Sequence, residues 1–137
     1  MCGMSQPFPP LGEIYRIRSK ATGHELSPTL GSDNHVRPVG PNWGAYWKLE
    51  AVDIGYRLDC AEEILDSNAE RQVYTLPWNG GSYQKWRIVE AGEGYWSLIN
   101  LATGLALDGT SEDIYTMRPN DGDYQRWRFM TSSEFDP

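Results

Sequence analysis

The chain repeats itself three times, and that repetition restricts its fold more than any other feature. Ile17, Leu58 and Leu98 recur at intervals of 41 and 40 residues, and Trp47, Trp86 and Trp127 at intervals of 39 and 41. A third anchor keeps the same phase: Leu26 precedes Trp47 by 21 residues, Leu65 precedes Trp86 by 21, and Leu107 precedes Trp127 by 20. A period of this size marks supersecondary units that cannot bury an apolar face alone and must bury it on one another.

Within each unit the pattern is that of β-structure. Tyr15, Ile17 and Ser19 alternate with Arg16, Arg18 and Lys20, and Trp86 and Ile88 flank Arg87. This period of two signals half-buried strands. Turn clusters separate them, notably Gly31-Ser32-Asp33-Asn34, Asn79-Gly80-Gly81-Ser82 and Asn120-Asp121-Gly122-Asp123. No stretch carries an apolar stripe of helical period. The expectation is an all-β domain of three four-stranded units, closed into a barrel with hairpins over one end so that no sheet edge is left exposed. The units span about residues 12–52, 53–92 and 93–130, after a Pro-rich lead at 1–11 and before a polar tail at 131–137.

Charge and composition narrow the function. A net charge of −7 disfavours nucleic acid and anionic membrane, because a polyanion needs clustered Lys and Arg to displace its counterions, and no basic run is present. No stretch approaches the roughly 20 apolar residues of a membrane helix, so membrane insertion is not expected. The first ten residues lack a basic start and an apolar core, so the chain reads as cytoplasmic or non-classically released. Two cysteines, Cys2 in the lead and Cys60 in the apolar phase of a strand, suggest reduced thiols with Cys60 buried. His24 and His35 have no nucleophile or metal-ligand pattern around them, and the acidic pairs Glu62-Glu63 and Glu112-Asp113 lie side by side in turns. A glycosidase needs two carboxyls facing each other across about 5–10 Å. Neither catalysis nor a metal or cofactor is expected. Six Trp and eight Tyr exceed what a core alone requires, which points to a surface that recognises an apolar face.

Gln84-Lys85-Trp86 and Gln125-Arg126-Trp127 resemble the Gln-any-Trp motif that closes each repeat of the ricin-B-type lectins. Leu65-Asp66 and Leu107-Asp108-Gly109 are similar to the Leu-Asp element ahead of the sugar loop in that family, and Ala21-Thr22-Gly23 and Ala102-Thr103-Gly104 to its first turn. The resemblance covers about residues 12–130 and implies a β-trefoil with pseudo-threefold symmetry that binds carbohydrate. In style it is nearest to the small cytoplasmic mushroom lectins, which implies glycans or glycoproteins as partners, homodimerisation as one route to avidity, and a role in fungal defence. The chain also departs from the family. Tyr83 and Tyr124 stand where Asn is common, and in repeat one Ala45 replaces Gln, Ser27 replaces Asp, and the loop Pro41-Asn42-Trp43-Gly44 is shorter. Repeat one is therefore expected to keep the fold without the usual site.

A pyranose offers paired hydroxyls and one face of C–H groups, so its binder needs a fixed carboxylate or amide and an aromatic ring. The candidates are Asp66 and Asp108 as charge-assisted acceptors, Asn79 and Asn120 as donors and acceptors, and Trp78, Tyr83, Tyr115 and Tyr124 as platforms. Gln84 and Gln125 complete the set, although in this motif the amide also serves to tie down backbone. Asp66 and Asp108 also suit turns, Asn79 and Asn120 also start them, and Tyr115, like Tyr74, fits either core or site. Trp47, Trp86 and Trp127 are assigned to the core. The competing reading is a β-trefoil protease inhibitor that presents Thr29-Leu30-Gly31-Ser32-Asp33-Asn34 or Arg118-Pro119-Asn120.

Overall fold

A computed structural model describes residues 6–134. Twelve strands follow in order: β1 (Ile14–Ser19), β2 (Glu25–Pro28), β3 (Val36–Val39), β4 (Trp47–Val52), β5 (Gly55–Cys60), β6 (Glu63–Ser67), β7 (Val73–Leu76), β8 (Trp86–Glu90), β9 (Trp96–Asn100), β10 (Ala106–Gly109), β11 (Ile114–Met117) and β12 (Trp127–Met130). Two 3-10 turns, Ser82–Gln84 and Asp123–Gln125, precede β8 and β12.

Six strands close a ring. β1 pairs with β4, β4 with β5, β5 with β8, β8 with β9, β9 with β12, and β12 returns to β1, all antiparallel. The hairpins β2–β3, β6–β7 and β10–β11 cap the ring. This is the β-trefoil expected from the three repeats, and its register explains their anchors. Leu26, Leu65 and Leu107 face Pro38, Thr75 and Thr116 at equivalent places in the three hairpins. Trp47, Trp86 and Trp127 are fully buried, and their indole Nε1–H groups donate to the carbonyls of Leu26, Leu65 and Leu107 at 3.3, 3.0 and 3.0 Å. The Leu-to-Trp interval in the sequence is therefore a hydrogen bond between cap and barrel. It satisfies the one polar atom of a ring that otherwise fills the core.

Neighbouring hairpins are tied by backbone bonds at two of their three seams. Thr75 N–H donates to Asn34 O at 2.9 Å and Thr116 N–H to Arg71 O at 3.0 Å, beside the bridges His35↔Tyr74 and Gln72↔Tyr115. At the third seam the donor's place belongs to Pro38, which has no N–H. There His35 Nε2 and Asp113 Oδ1 approach to 2.8 Å instead.

At the opposite end, Phe8 packs against Tyr56 and Trp96 with ring centroids 4.8 and 5.3 Å away, and Tyr15 Oη donates to Pro10 O at 2.7 Å. Residues 6–10 thus lie against the barrel. Cys60 is buried, and burial raises its thiol pKa above the ordinary value. Cys2 lies outside the described residues. Among the described residues, no helix is long and apolar enough to cross a membrane.

Candidate functional site

Repeat three gathers its candidates round one cavity. Asp108 on β10 sits opposite Tyr115 on β11, since the two are paired in register. The loop after β11 brings Asn120 and Tyr124 to the same opening, which has a volume of about 350 Å³ and is also lined by Thr110 and Met117. Asp108 is only 5% exposed, whereas Tyr124 is 51% exposed, so the acceptor lies at the floor and a ring at the rim. Burial, and then the charge on Asp108, raises the phenol of Tyr115, which keeps it a neutral hydroxyl donor.

Gln125 sets this geometry from behind. Its Nε2 donates to Asp108 Oδ2 at 3.0 Å and to Arg118 O at 2.9 Å, and its Oε1 accepts from Asn120 N–H at 2.9 Å. Asn120 Oδ1 in turn accepts from Gly122 N–H at 2.8 Å. Repeat two is built the same way. Gln84 Nε2 donates to Asp66 Oδ2 and Pro77 O, each at 3.0 Å, and Gln84 Oε1 accepts from Asn79 N–H at 2.8 Å. Asn79 Oδ1 accepts from Gly81 N–H at 2.7 Å, and Tyr74 faces Asp66 as Tyr115 faces Asp108.

Three sets of candidates are held by other parts of the protein. Gln84 and Gln125, expected as ligand contacts, are buried with both amide protons donated within the protein, and they position Asp66 and Asp108. Asn79 and Asn120 each commit one carbonyl-oxygen lone pair to the turn, which orients the amide and leaves the Nδ2 protons and a second lone pair available. Trp78 turns to the barrel wall, where its ring centroid lies 4.8 Å from Arg57 Cζ. Its counterpart Pro119 borders a neighbouring groove rather than the Asp108 cavity. Tyr83, the counterpart of Tyr124, is an exposed ring of repeat two at 41%, beside Trp78 at 38%.

Asp66 is 2% exposed, and burial raises its pKa from the ordinary value of 3.8 against the lowering effect of the Ser67 N–H and Gln84 amide. With Oδ1 already accepting from Ser67 N–H at 2.8 Å and Oδ2 from Gln84, the carboxylate is pre-aimed and has lone pairs remaining for hydroxyl donors.

Repeat one replaces the clamp with charge. Glu25, fully buried, accepts from Asn42 N–H and Gly44 N–H at 3.0 Å each and pairs with Arg16 and Arg18 at 2.7 Å. The alternation in β1 puts both arginines in its polar phase, yet Arg16 is fully buried because the 40–44 loop and Glu134 close over it. Gly44 is required there, since a Cβ would lie 2.5 Å from that of Glu25. The sequence signal was Glu25 itself, an acid two places before Ser27 and next to the anchor Leu26.

Chemically, repeats two and three each offer a fixed carboxylate, an amide and a phenol ring, and in repeat three these line an open cavity. Among the described residues no group of three or more His, Cys, Asp or Glu side chains is placed to hold a metal ion.

A family model described as "Ricin-type beta-trefoil lectin domain-like" matches residues 35–114 and 82–135. No curated protein matches the chain. Among solved structures, the chain is similar to a designed threefold-symmetric protein, ThreeFoil, with 26% identity and a TM-score of 0.77 over 85% of this chain and 97% of that one. It is also similar to SeviL, solved with an asialo-GM1 saccharide, with 15% identity and a TM-score of 0.74 over 88% and 98%. A third likeness, 23% identical with a TM-score of 0.78, is to an exo-β-1,3-galactanase from Clostridium thermocellum. There the match covers 90% of this chain but 31% of the enzyme.

Proposed function

The chain belongs to the ricin-type β-trefoil lectin-like family, and from that premise we propose that it is a carbohydrate-binding protein whose sites lie in repeats two and three. The observation that carries this reading is the convergence of Asp108, Tyr115, Asn120 and Tyr124 on one cavity, with the carboxylate held from behind by Gln125. Asp108 accepts two vicinal hydroxyl protons, Asn120 Nδ2 donates to a third oxygen, and the Tyr124 ring covers the C–H face of the sugar. Asp66, Asn79 and Tyr83 do the same in repeat two.

Single sites of this openness bind weakly, and two on one chain raise avidity by about 10²–10⁴ where a glycan spans both. A glycan array on the wild type beside Asp108→Ala and Asp66→Ala tests the proposal. Binding that falls in each folded variant supports it, and a blank array from the folded wild type rejects it. Storage in the cytoplasm for defence against grazing animals belongs to the same proposal, and a feeding assay in which wild type and an Asp66/Asp108 double variant act alike rejects that part.

A further inference from the structure

The outer barrel wall carries three grooves related by the pseudo-threefold axis. Each forms where the last strand of one repeat pairs with the first strand of the next, and where the loop of that next repeat leans over the pair. Between repeats one and two, on β4–β5, the groove is covered by Trp78 stacked on Arg57. Between repeats three and one, on β12–β1, it is filled by Arg16 and Arg18, which bond to Asn42 at 2.8 and 3.1 Å.

The third groove, on β8–β9, has lost both of its fillers. The pairings Tyr56↔Trp86 and Trp96↔Trp127 make Ser97 the counterpart of Arg57. Pro119 is the counterpart of Trp78, each standing eight residues before its core Trp. Two large side chains are thereby exchanged for small ones, and a cavity of about 270 Å³ opens over Val89, Ser97 and Ile99, with Pro119 as its wall and Arg87 and Arg126 at its edge.

We infer that this groove is a second ligand site, separate from the Asp108 cavity, that takes the planar aromatic ring of a small molecule. The sister groove supplies the template, because there the same wall accommodates an indole. The floor is apolar and uncovered: Val89 remains 40% exposed. Arg87 stands beside it, paired across the ladder with Ile99, and makes no ion pair or side-chain hydrogen bond among the described residues. Its guanidinium is free to lie against a ring face, as Arg57 lies against Trp78. Arg126 is held at the rim by Asp123 at 2.9 Å and so borders the opening without filling it.

The test is titration of the ¹⁵N-labelled protein with indole, followed by amide shifts, with cyclohexanol as the non-aromatic control. Saturable shifts centred on Val89, Ser97 and Ile99, at lower concentration for indole than for cyclohexanol, are expected. The double variant Ser97→Arg/Pro119→Trp rebuilds the plug of the sister groove and is expected to weaken indole binding at least tenfold. Val89→Lys, at an exposed position, gives the same reading should the plug variant fold poorly. No saturable shift in the wild type, equal binding of cyclohexanol, or undiminished indole binding in a folded plug or Val89→Lys variant overturns the inference. None of these outcomes depends on whether Asp108 binds sugar.

Discussion

Replacing Gln125 by Leu keeps most of the side-chain volume and removes the amide, and the structure gives the consequence in parts. Asp108 Oδ2 loses a donor to a nearly buried carboxylate, Arg118 O loses its partner, and Asn120 N–H loses its acceptor. An unsatisfied buried group costs about 1–3 kcal/mol, and more when it is charged. The loop around Arg118 and Asn120 is near solvent and recovers part of its share from water. The sum expected is about 3–5 kcal/mol, a large part of the roughly 5–15 kcal/mol that holds a domain folded. Urea denaturation followed by Trp fluorescence measures it. The decisive comparison is the double variant Asp108→Leu/Gln125→Leu, in which the orphaned carboxylate is gone. It is expected to be more stable than Gln125→Leu alone by about 1.5–3 kcal/mol, the range for a hydrogen bond to a charged group. A loss below about 1 kcal/mol in the single variant, or a double variant no more stable than the single, refutes the account of Gln125 as a clamp on Asp108.

Trp127→Phe removes the indole bond to Leu107 O and leaves a void, with an expected loss of about 2–4 kcal/mol in the same denaturation assay. Glu25→Ala leaves Arg16 buried without its carboxylate and frees the 40–44 loop. A loss of about 3–5 kcal/mol is expected, with sugar binding in repeats two and three unchanged in calorimetric titration of the folded fraction. Asp66 has a folded-state pKa raised by burial above 3.8, so its contribution to stability is complete below that value and is lost as pH rises through the folded value. Denaturation across acidic pH is therefore expected to show wild type gaining stability relative to Asp66→Asn as pH falls. Over the same window, the sugar binding proposed for repeat two is expected to weaken as the carboxylate becomes protonated.

The trefoil was legible because its anchors are physical contacts with fixed reach. A Leu carbonyl and an indole N–H that must meet across a hairpin cannot drift by more than a residue, and the spacings of 21, 21 and 20 preserve that constraint. The polar side of the site was less legible. The letters Gln-any-Trp do not say whether the amide faces the ligand or the protein, because its partners are carbonyls seven residues upstream that only the folded loop delivers. The packing of Trp78 was not legible for a related reason. Its neighbours in sequence are turn residues, and the Arg57 that holds it lies 21 residues away on the barrel wall. Arg16 and Arg18 obeyed the strand alternation, but alternation cannot report what covers the outer face of a strand. Here a short loop and a buried glutamate do so.

The pairing of β1 with β12 joins Arg16 to Met130, strands from the two ends of the chain. Until residues 127–130 leave the ribosome, the barrel cannot close, and β1 waits with one flank unpaired. Contacts of such sequence separation slow folding, and an open strand edge is a template for pairing with other chains. In the interval between the emergence of β1 and of β12, that edge of the protein is open to other chains.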